Sequence, residues 1–252
     1  MIVDVFMFND EFFHLECRMY ELKGVVDRFV AVEGNRTMQG AQKPYHLEGK
    51  EAKYRKDGLD VVRADLTWLD DVPEQKGPWV KSGQQDTWKR DWKQRNAFKT
   101  DDYPEDTIFI FSDVDEIPKR ATVEGFSGNA RVLMQQHLIY SVKYTTTDPW
   151  AGPVMGTRAE VKTFARARNE RWKFPALPDG GWHLGWFGGE LAIQKKAREF
   201  AHGEMAPYAK EVAEKYPREH IRPAGGLLEP YGGTLPTWVE DGHAPNSWYL
   251  EW

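Results

Sequence analysis

Residues 107–118 read Thr-Ile-Phe-Ile-Phe-Ser-Asp-Val-Asp-Glu-Ile-Pro, an apolar run that ends in three carboxylates, Asp113, Asp115 and Glu116. Ile108 to Ser112 are β-branched, aromatic or small, as a strand buried in a parallel sheet requires. A strand that ends in Asp-x-Asp places both aspartates at the sheet edge, where the strand period of two points them the same way. Two carboxylates so placed repel unless a cation separates them. Hard oxygen ligands select Mg²⁺ or Mn²⁺, commonly shared with the phosphates of a substrate. Asp-x-Asp by itself is frequent on solvated turns. Its position gives it weight here, because open α/β sheets bind ligands beyond the carboxyl ends of their strands. Pro118 stops any regular continuation.

Outward from this stretch the chain reads as alternating strands and helices. Ile2–Phe8 is a strand, and Phe12–Leu22 a helix with Phe12, Leu15, Glu16, Met19 and Leu22 along one stripe. A second strand covers Asp27–Glu33, so the three form a strand, helix, strand unit with a right-handed crossover. Residues 34–56 are a polar loop with a short helix over Lys50–Lys56. Leu59–Ala64 is a third strand, and Asp70–Gln85 a long connection with Pro73, Gly77, Pro78 and Gly83. A helix over Thr87–Thr100 then leads into the Asp-x-Asp strand. Arg131–Tyr144 and Val161–Arg168 read as later strands, and Glu190–Phe200 as a helix. From Pro217 onward Pro and Gly dominate, and Ile221–Trp252 is expected to wrap the surface without adding core. The expectation is an α/β, Rossmann-like domain with a mostly parallel central sheet flanked by helices.

At 252 residues the chain is long enough for one large domain with a substantial core. Its 34 basic and 39 acidic residues give a net charge of −5, so nothing global calls for a nucleic-acid or membrane surface. The single cysteine, Cys17, excludes an internal disulfide and a cysteine-rich zinc site, and its helical setting makes it a small buried residue. No window approaches the ~20 apolar residues of a membrane span, so a cytoplasmic protein is expected. Eleven tryptophans are many for this length. Core packing accounts for some of them, and platforms that stack on sugar rings account for the rest.

The segments Asp4-Val-Phe-Met-Phe-Asn-Asp-Glu, Val25-Val-Asp-Arg-Phe-Val-Ala-Val-Glu-Gly-Asn, Gln94-Arg-Asn-Ala, Ile110-Phe-Ser-Asp-Val-Asp-Glu-Ile-Pro, Gly180-Gly-Trp-His-Leu-Gly-Trp-Phe-Gly-Gly-Glu and Phe200-Ala-His-Gly-Glu occur in this order. Together they resemble glycosyltransferase family 17, which includes the β-1,4-mannosyl-glycoprotein β-1,4-N-acetylglucosaminyltransferase. The resemblance implies a GT-A-type fold and inverting transfer from a UDP-sugar, UDP-GlcNAc foremost, with Mn²⁺ or Mg²⁺. The Golgi members carry a membrane anchor and a larger body. This chain resembles a short bacterial or bacteriophage branch, so the N-glycan acceptor is not carried over. One glycosyltransferase domain over 1–252 is expected: a nucleotide-sugar half (1–118), an acceptor and catalytic half (119–216) and a C-terminal wrap (217–252).

On that resemblance Asp113 and Asp115 hold the metal and diphosphate, with Asp115 the direct ligand. His202 resembles the histidine that completes the metal site in many GT-A enzymes, and His183 competes for the role. Glu116 is a further ligand or catalytic acid, or else a helix cap. An inverting transfer needs a base for the acceptor hydroxyl. Glu190 leads, since it follows two glycines that allow close backbone approach, and Asp148 is the runner-up. A plain helix-terminal acid is the simpler reading of Glu190. Asn9, Asp10 and Glu33 end strands where the nucleotide would lie, and Arg95 with Asn96 resembles a pair that reaches ribose and diphosphate. Trp150, Trp182, His183 and Trp186 are the substrate platform.

Lys89, Arg90, Lys93, Arg95 and Lys99 lie close together, interleaved with Trp88 and Trp92, which keeps a DNA acceptor open as a minority reading. Carbohydrate, protein and modified-base acceptors all remain. A non-catalytic sugar-nucleotide or glycan-binding module is the alternative, disfavoured because such a module has no need of Asp113, Asp115, Arg95 and His202. A metal-dependent phosphohydrolase ranks last, since few further His and Asp residues fall at strand ends.

Overall fold

The apolar run at the N-terminus becomes a central strand of the computed structural model, which describes residues 1–76, 80–223 and 225–251. Gly77 and Pro78, expected in the long connection before the Asp-x-Asp strand, lie outside the described residues. The first half holds β1 (Ile2–Phe8), α1 (Phe12–Leu22), β2 (Arg28–Gly34), α2 (Glu51–Arg55), β3 (Leu59–Ala64), α3 (Gln85–Arg95) and β4 (Ile108–Asp113). β1 pairs in parallel with β2 on one side and β4 on the other, and β3 extends the sheet beyond β2. These strands read as continuous apolar runs because helices and loops cover both faces.

The second half departs from the expectation of a mostly parallel sheet. It holds β5 (Glu116–Pro118), α4 (Arg120–Glu124), β6 (Arg131–Ile139), β7 (Tyr144–Thr145), β8 (Trp150–Thr157), α5 (Arg158–Val161), α6 (Phe164–Asn169), β9 (Ala176–Leu177), β10 (Gly181–Gly185), α7 (Glu190–Glu199), α8 (Ala209–Glu214), β11 (Glu229–Pro230) and α9 (Thr237–Glu240). β8 pairs antiparallel with both β4 and β6, and β5, β7 and β11 also join antiparallel. The sheet is therefore mixed. β6 pairs with β8 and β9 through its first half and with β10 and β7 through its second, with a register shift between Val132 and Met134. A bulge of this kind bends a strand and lets the sheet curl.

Two further expectations are corrected. Val161–Arg168 is no strand: Val161 ends α5 and Phe164–Arg168 belong to α6, which Thr163 caps by accepting a hydrogen bond from the Arg166 N–H. β8 contains Gly152, Pro153 and Gly156. Gly152 and Gly156 give room for the Gln135 side chain of β6 and for Ala130, which precedes it. The C-terminal segment does add core. Trp238, Val239 and Trp248 are buried against Cys17, Leu138, Leu184 and Phe187. Pro and Gly there set turns between buried aromatic anchors.

A buried ion pair ties the first half together. Arg18 Nη2 lies 2.5 Å from Asp4 Oδ1, both fully buried, and Arg18 also donates to Ser112 Oγ at 2.6 Å and the Glu116 carbonyl at 2.7 Å. A buried charge must be paired and its donors used, and Arg18 meets that condition across α1, β1, β4 and β5. Cys17, beside it, is fully buried as expected. No helix among the described residues is long and apolar enough to cross a membrane.

Candidate active site

β1 has β2 on one side and β4 on the other, so the chain reverses direction of winding between β1 and β4. In an open α/β sheet the loops diverge at that point and leave a crevice. A cleft of about 1270 Å³ lies there, lined by Asn9, Asp10 and Glu11 after β1, and by Asp113 and Asp115 after β4. Its volume exceeds the ~300–1,000 Å³ of an ordinary small-molecule pocket, enough for two ligands side by side.

The two aspartates do not share a strand face. Asp113 ends β4, while Val114 and Asp115 form a turn before β5, so the alternation breaks between them. Each carboxylate then meets its own cations. Asp113 lies 2.9 Å from Arg95 Nη1 and 3.2 Å from Arg168 Nη2. Asp115, almost fully buried, lies 2.6 Å from Lys196 Nζ and 3.6 Å from His183 Nε2. Burial pushes both carboxyls up, but the neighbouring cations outweigh it, holding Asp113 at about 2 and Asp115 well below the usual range. Both are ionised at neutral pH.

Glu116 is not a cleft residue. It is fully buried and accepts from Arg168 at 2.8 Å, from Trp150 Nε1 at 2.7 Å and from the Asp113 N–H at 3.0 Å. With three fixed donors on its two oxygens it braces the turn. Glu33 is likewise fully buried, accepting from the Leu47 N–H at 3.2 Å and from His46, and it anchors the 35–50 loop. Asn96 caps α3 and Trp182 belongs to the core, its Nε1 donating to the Thr234 carbonyl at 2.6 Å. Glu190 starts α7 outside the cleft, where Arg218 Nη2 approaches at 3.4 Å. Its place behind Gly188 and Gly189, both in the left-handed region, serves the tight turn from β10 into α7.

Asn9, Asp10, Arg95, Asp148, Trp150, His183, Trp186 and His202 do line the cleft. Asp148 is exposed on the rim beside Trp150. His183 packs on Trp150 and on His137, each at 4.5 Å between ring centres, and its Nδ1 is buried with no partner. Trp186 takes φ +65°, which is costly for a bulky residue, and its ring faces Lys196 at 5.8 Å. His202 makes a separate pair with Glu204 at 3.3 Å and packs on Trp88 and Phe200. Among the described residues no three His, Cys, Asp or Glu side chains gather into a metal cluster.

The basic residues around α3 are engaged. Lys89 pairs with Glu74 at 3.3 Å, Lys93 with Asp71 at 2.8 Å, and Arg90 and Lys99 donate to backbone carbonyls. They do not form a free cationic groove.

Lys196, Arg168 and Arg171 went unnoticed in the sequence. Lys196 lies 81 residues from its partner Asp115, beyond any local pattern. Arg168 was legible in part: Thr163 with the following Phe-Ala-Arg-Ala-Arg marks a helix start that places Arg168 one turn in. Glu11, whose carboxyl is pushed up by burial, also lines the cleft and accepts from the Asn9 and Asp10 N–H groups at 3.1 Å.

Fold and cleft together define an α/β protein with a large cleft at the carboxyl ends of its parallel strands. The chain belongs to glycosyltransferase family 17, whose profile matches residues 1–215, and glycosyl transfer is thereby its class of reaction. No curated protein matches its sequence. Two solved structures are similar at a low level. One is a mycobacterial protein, at 12% identity and a TM-score of 0.37 over 95% of this chain and 87% of that one. The other is the M. tuberculosis glucosyl-3-phosphoglycerate synthase, at 12% identity and a TM-score of 0.36 over 95% and 92%.

Proposed function

We propose that this chain is a GT-A-type, inverting glycosyltransferase that moves a sugar, GlcNAc from UDP-GlcNAc foremost, onto an acceptor hydroxyl. The observation that carries the reading is the Asp113–Asp115 turn, ion-paired with Arg95, Arg168 and Lys196 in the cleft at the sheet's switch point. Leaving nucleoside diphosphate develops negative charge, and fixed cations aimed at it stabilise the transition state. The nucleotide half is 1–118, with Asn9 and Asp10 beside the donor, and the acceptor half is 119–216.

Asp115 and His183 are the pair that would hold Mn²⁺ or Mg²⁺. Such cations are often bound by one or two protein groups, with substrate phosphate and water completing the shell. The fit rests on the ionised Asp115, the 3.6 Å approach of His183 Nε2 and the absence of any hydrogen bond tying His183 Nδ1 elsewhere. When bound, the ion supplies Lewis-acid neutralisation of the diphosphate. His202, occupied by Glu204, is replaced by His183 in this role. Lys196 holds Asp115 in place. Asp148, an exposed carboxylate beside Trp150, takes the proton of the acceptor hydroxyl as that oxygen attacks the anomeric carbon, and Trp150 and Trp186 offer faces to the sugar.

Release of UDP from a panel of UDP-sugars tests this. Turnover is expected with Mn²⁺ and lost with EDTA. Asp115→Asn and His183→Ala should each lower kcat by roughly a hundredfold while His202→Ala changes it little. Turnover that survives EDTA but not Lys196→Met would move the charge-neutralising role from a metal to Lys196. No release from any donor would leave a sugar-nucleotide binding module.

A further inference from the structure

Three arginines converge near Asp113, and they differ in how they are spent. Arg95 pairs with Asp91 and Asp113, and Arg168 with Asp113 and Glu116. Arg171, on the 3₁₀ turn Arg171–Lys173 after α6, makes no ion pair and no side-chain hydrogen bond among the described residues, and its Nε is buried without a partner. Burial and the neighbouring Arg168 push its guanidinium down to about 10, which still leaves it charged at neutral pH.

A guanidinium in such a place is costly unless something else holds it. Two indoles do part of that work: its Cζ lies 5.5 Å from the Trp150 ring centre and 5.2 Å from that of Trp172. Cation–π contact of this kind fixes the plane of the fork but satisfies none of its N–H donors. Trp172, which lines the same cleft, is 68% exposed, a large apolar face left open beside an unspent cation. Asp148 lines the same cleft and makes no ion pair with Arg171 among the described residues.

We infer that Arg171 and Trp172 form an acceptor subsite for an anionic sugar, one bearing a phosphate or a carboxylate. The sugar ring lies on Trp172, and its charged group takes a bidentate pair of hydrogen bonds from Arg171. The inference rests on the glycosyl-transfer reading of the cleft. It adds the chemical class of the acceptor, because the donor's diphosphate faces the other cations, Lys196, Arg95 and Arg168.

Calorimetric titration of the full chain, first saturated with UDP and then given glucose 6-phosphate, glucuronate or glucose, tests it. At low salt the anionic sugar of the matching kind should bind roughly tenfold tighter than glucose. Which of the two anions gains tells phosphate from carboxylate. Arg171→Met should erase that difference and change the UDP Kd less than about twofold, with Trp172→Ala, an exposed change that leaves the core intact, weakening all three sugars alike. Equal binding of charged and neutral sugars by the native chain overturns the subsite. So does an Arg171→Met loss that falls on UDP, which would make Arg171 a donor contact. Should Arg171→Met fail to fold, unchanged sugar binding in Trp172→Ala overturns it instead. If UDP itself does not bind, the donor reading fails separately, and the same sugar titrations without UDP still decide the role of Arg171.

Discussion

Arg168 Nη2 stands 2.8 Å from Glu116 and 3.2 Å from Asp113, and its Nη1 donates to the Gly152 carbonyl at 2.7 Å. Without it two carboxylates would face each other, one of them fully buried. Breaking a buried pair by removing one partner commonly costs ~3–5 kcal/mol, because the remaining charge is left uncompensated. Arg168→Met should therefore lower unfolding stability by about that amount in urea, and adding Glu116→Gln should recover part of it. A loss below about 1 kcal/mol would mean that Arg168 is not what holds the turn. At this scale the sequence identified the acids but not their partners. Asp113, Asp115 and Glu116 stand together in the chain, whereas Arg95, Arg168 and Lys196 come from three separate helices.

At the scale of elements, the C-terminal segment beyond the family match decides one wall. Trp248, 1% exposed, packs 4.9 Å from His14, 5.2 Å from Phe187 and 5.5 Å from Trp238, and its carbonyl accepts from the Val142 N–H at 2.9 Å. It also lines the cleft. Trp248→Ala is expected to cost ~3–5 kcal/mol in denaturant unfolding, as for other large aromatic truncations in cores. A cost under about 1 kcal/mol would return this segment to the surface wrap that its Pro and Gly content implied. Pro and Gly report backbone turns, and a chain of turns can still carry tryptophans into a core. Val161–Arg168 failed for a related reason, since a short apolar run has no length from which to tell a period of two from 3.6.

At the scale of the whole molecule, acid stability follows from histidines held neutral. Burial pushes His14 down from 6.5 to about 4, with Lys196 and His183 acting in the same direction against Asp115 and the hydrogen bond to the Leu184 carbonyl. The unfolded chain binds a proton at His14 below about 6.5 and the folded chain does not until about 4, so stability is lost as pH falls through that window. Asp113 and Asp115, held low, lose their contribution only below the ordinary carboxylate range of 3.8. Burial likewise pushes His137 down to about 2, so the urea midpoint should drop between about pH 7.5 and about pH 5 by the equivalent of roughly 2 kcal/mol for each of the two histidines, and His14→Phe should remove about half of that drop. A midpoint that stays level over this range would show that His14 is protonated in the folded chain.

The sequence by itself determined the alternating first half, the strand that delivers the Asp-x-Asp turn to the sheet edge, the buried cysteine and the family. Those features depend on neighbours two to four residues apart, where the periods of strand and helix are written. Only the tertiary structure decided that the sheet is mixed, that Glu116, Glu33 and Trp182 are braces, that Glu190 faces outward, and that His183 stands beside Asp115. The reason is distance along the chain. A carboxylate's partner is chosen by whichever cation the fold brings within reach, and Lys196 meets Asp115 from 81 residues away, where no local pattern records it.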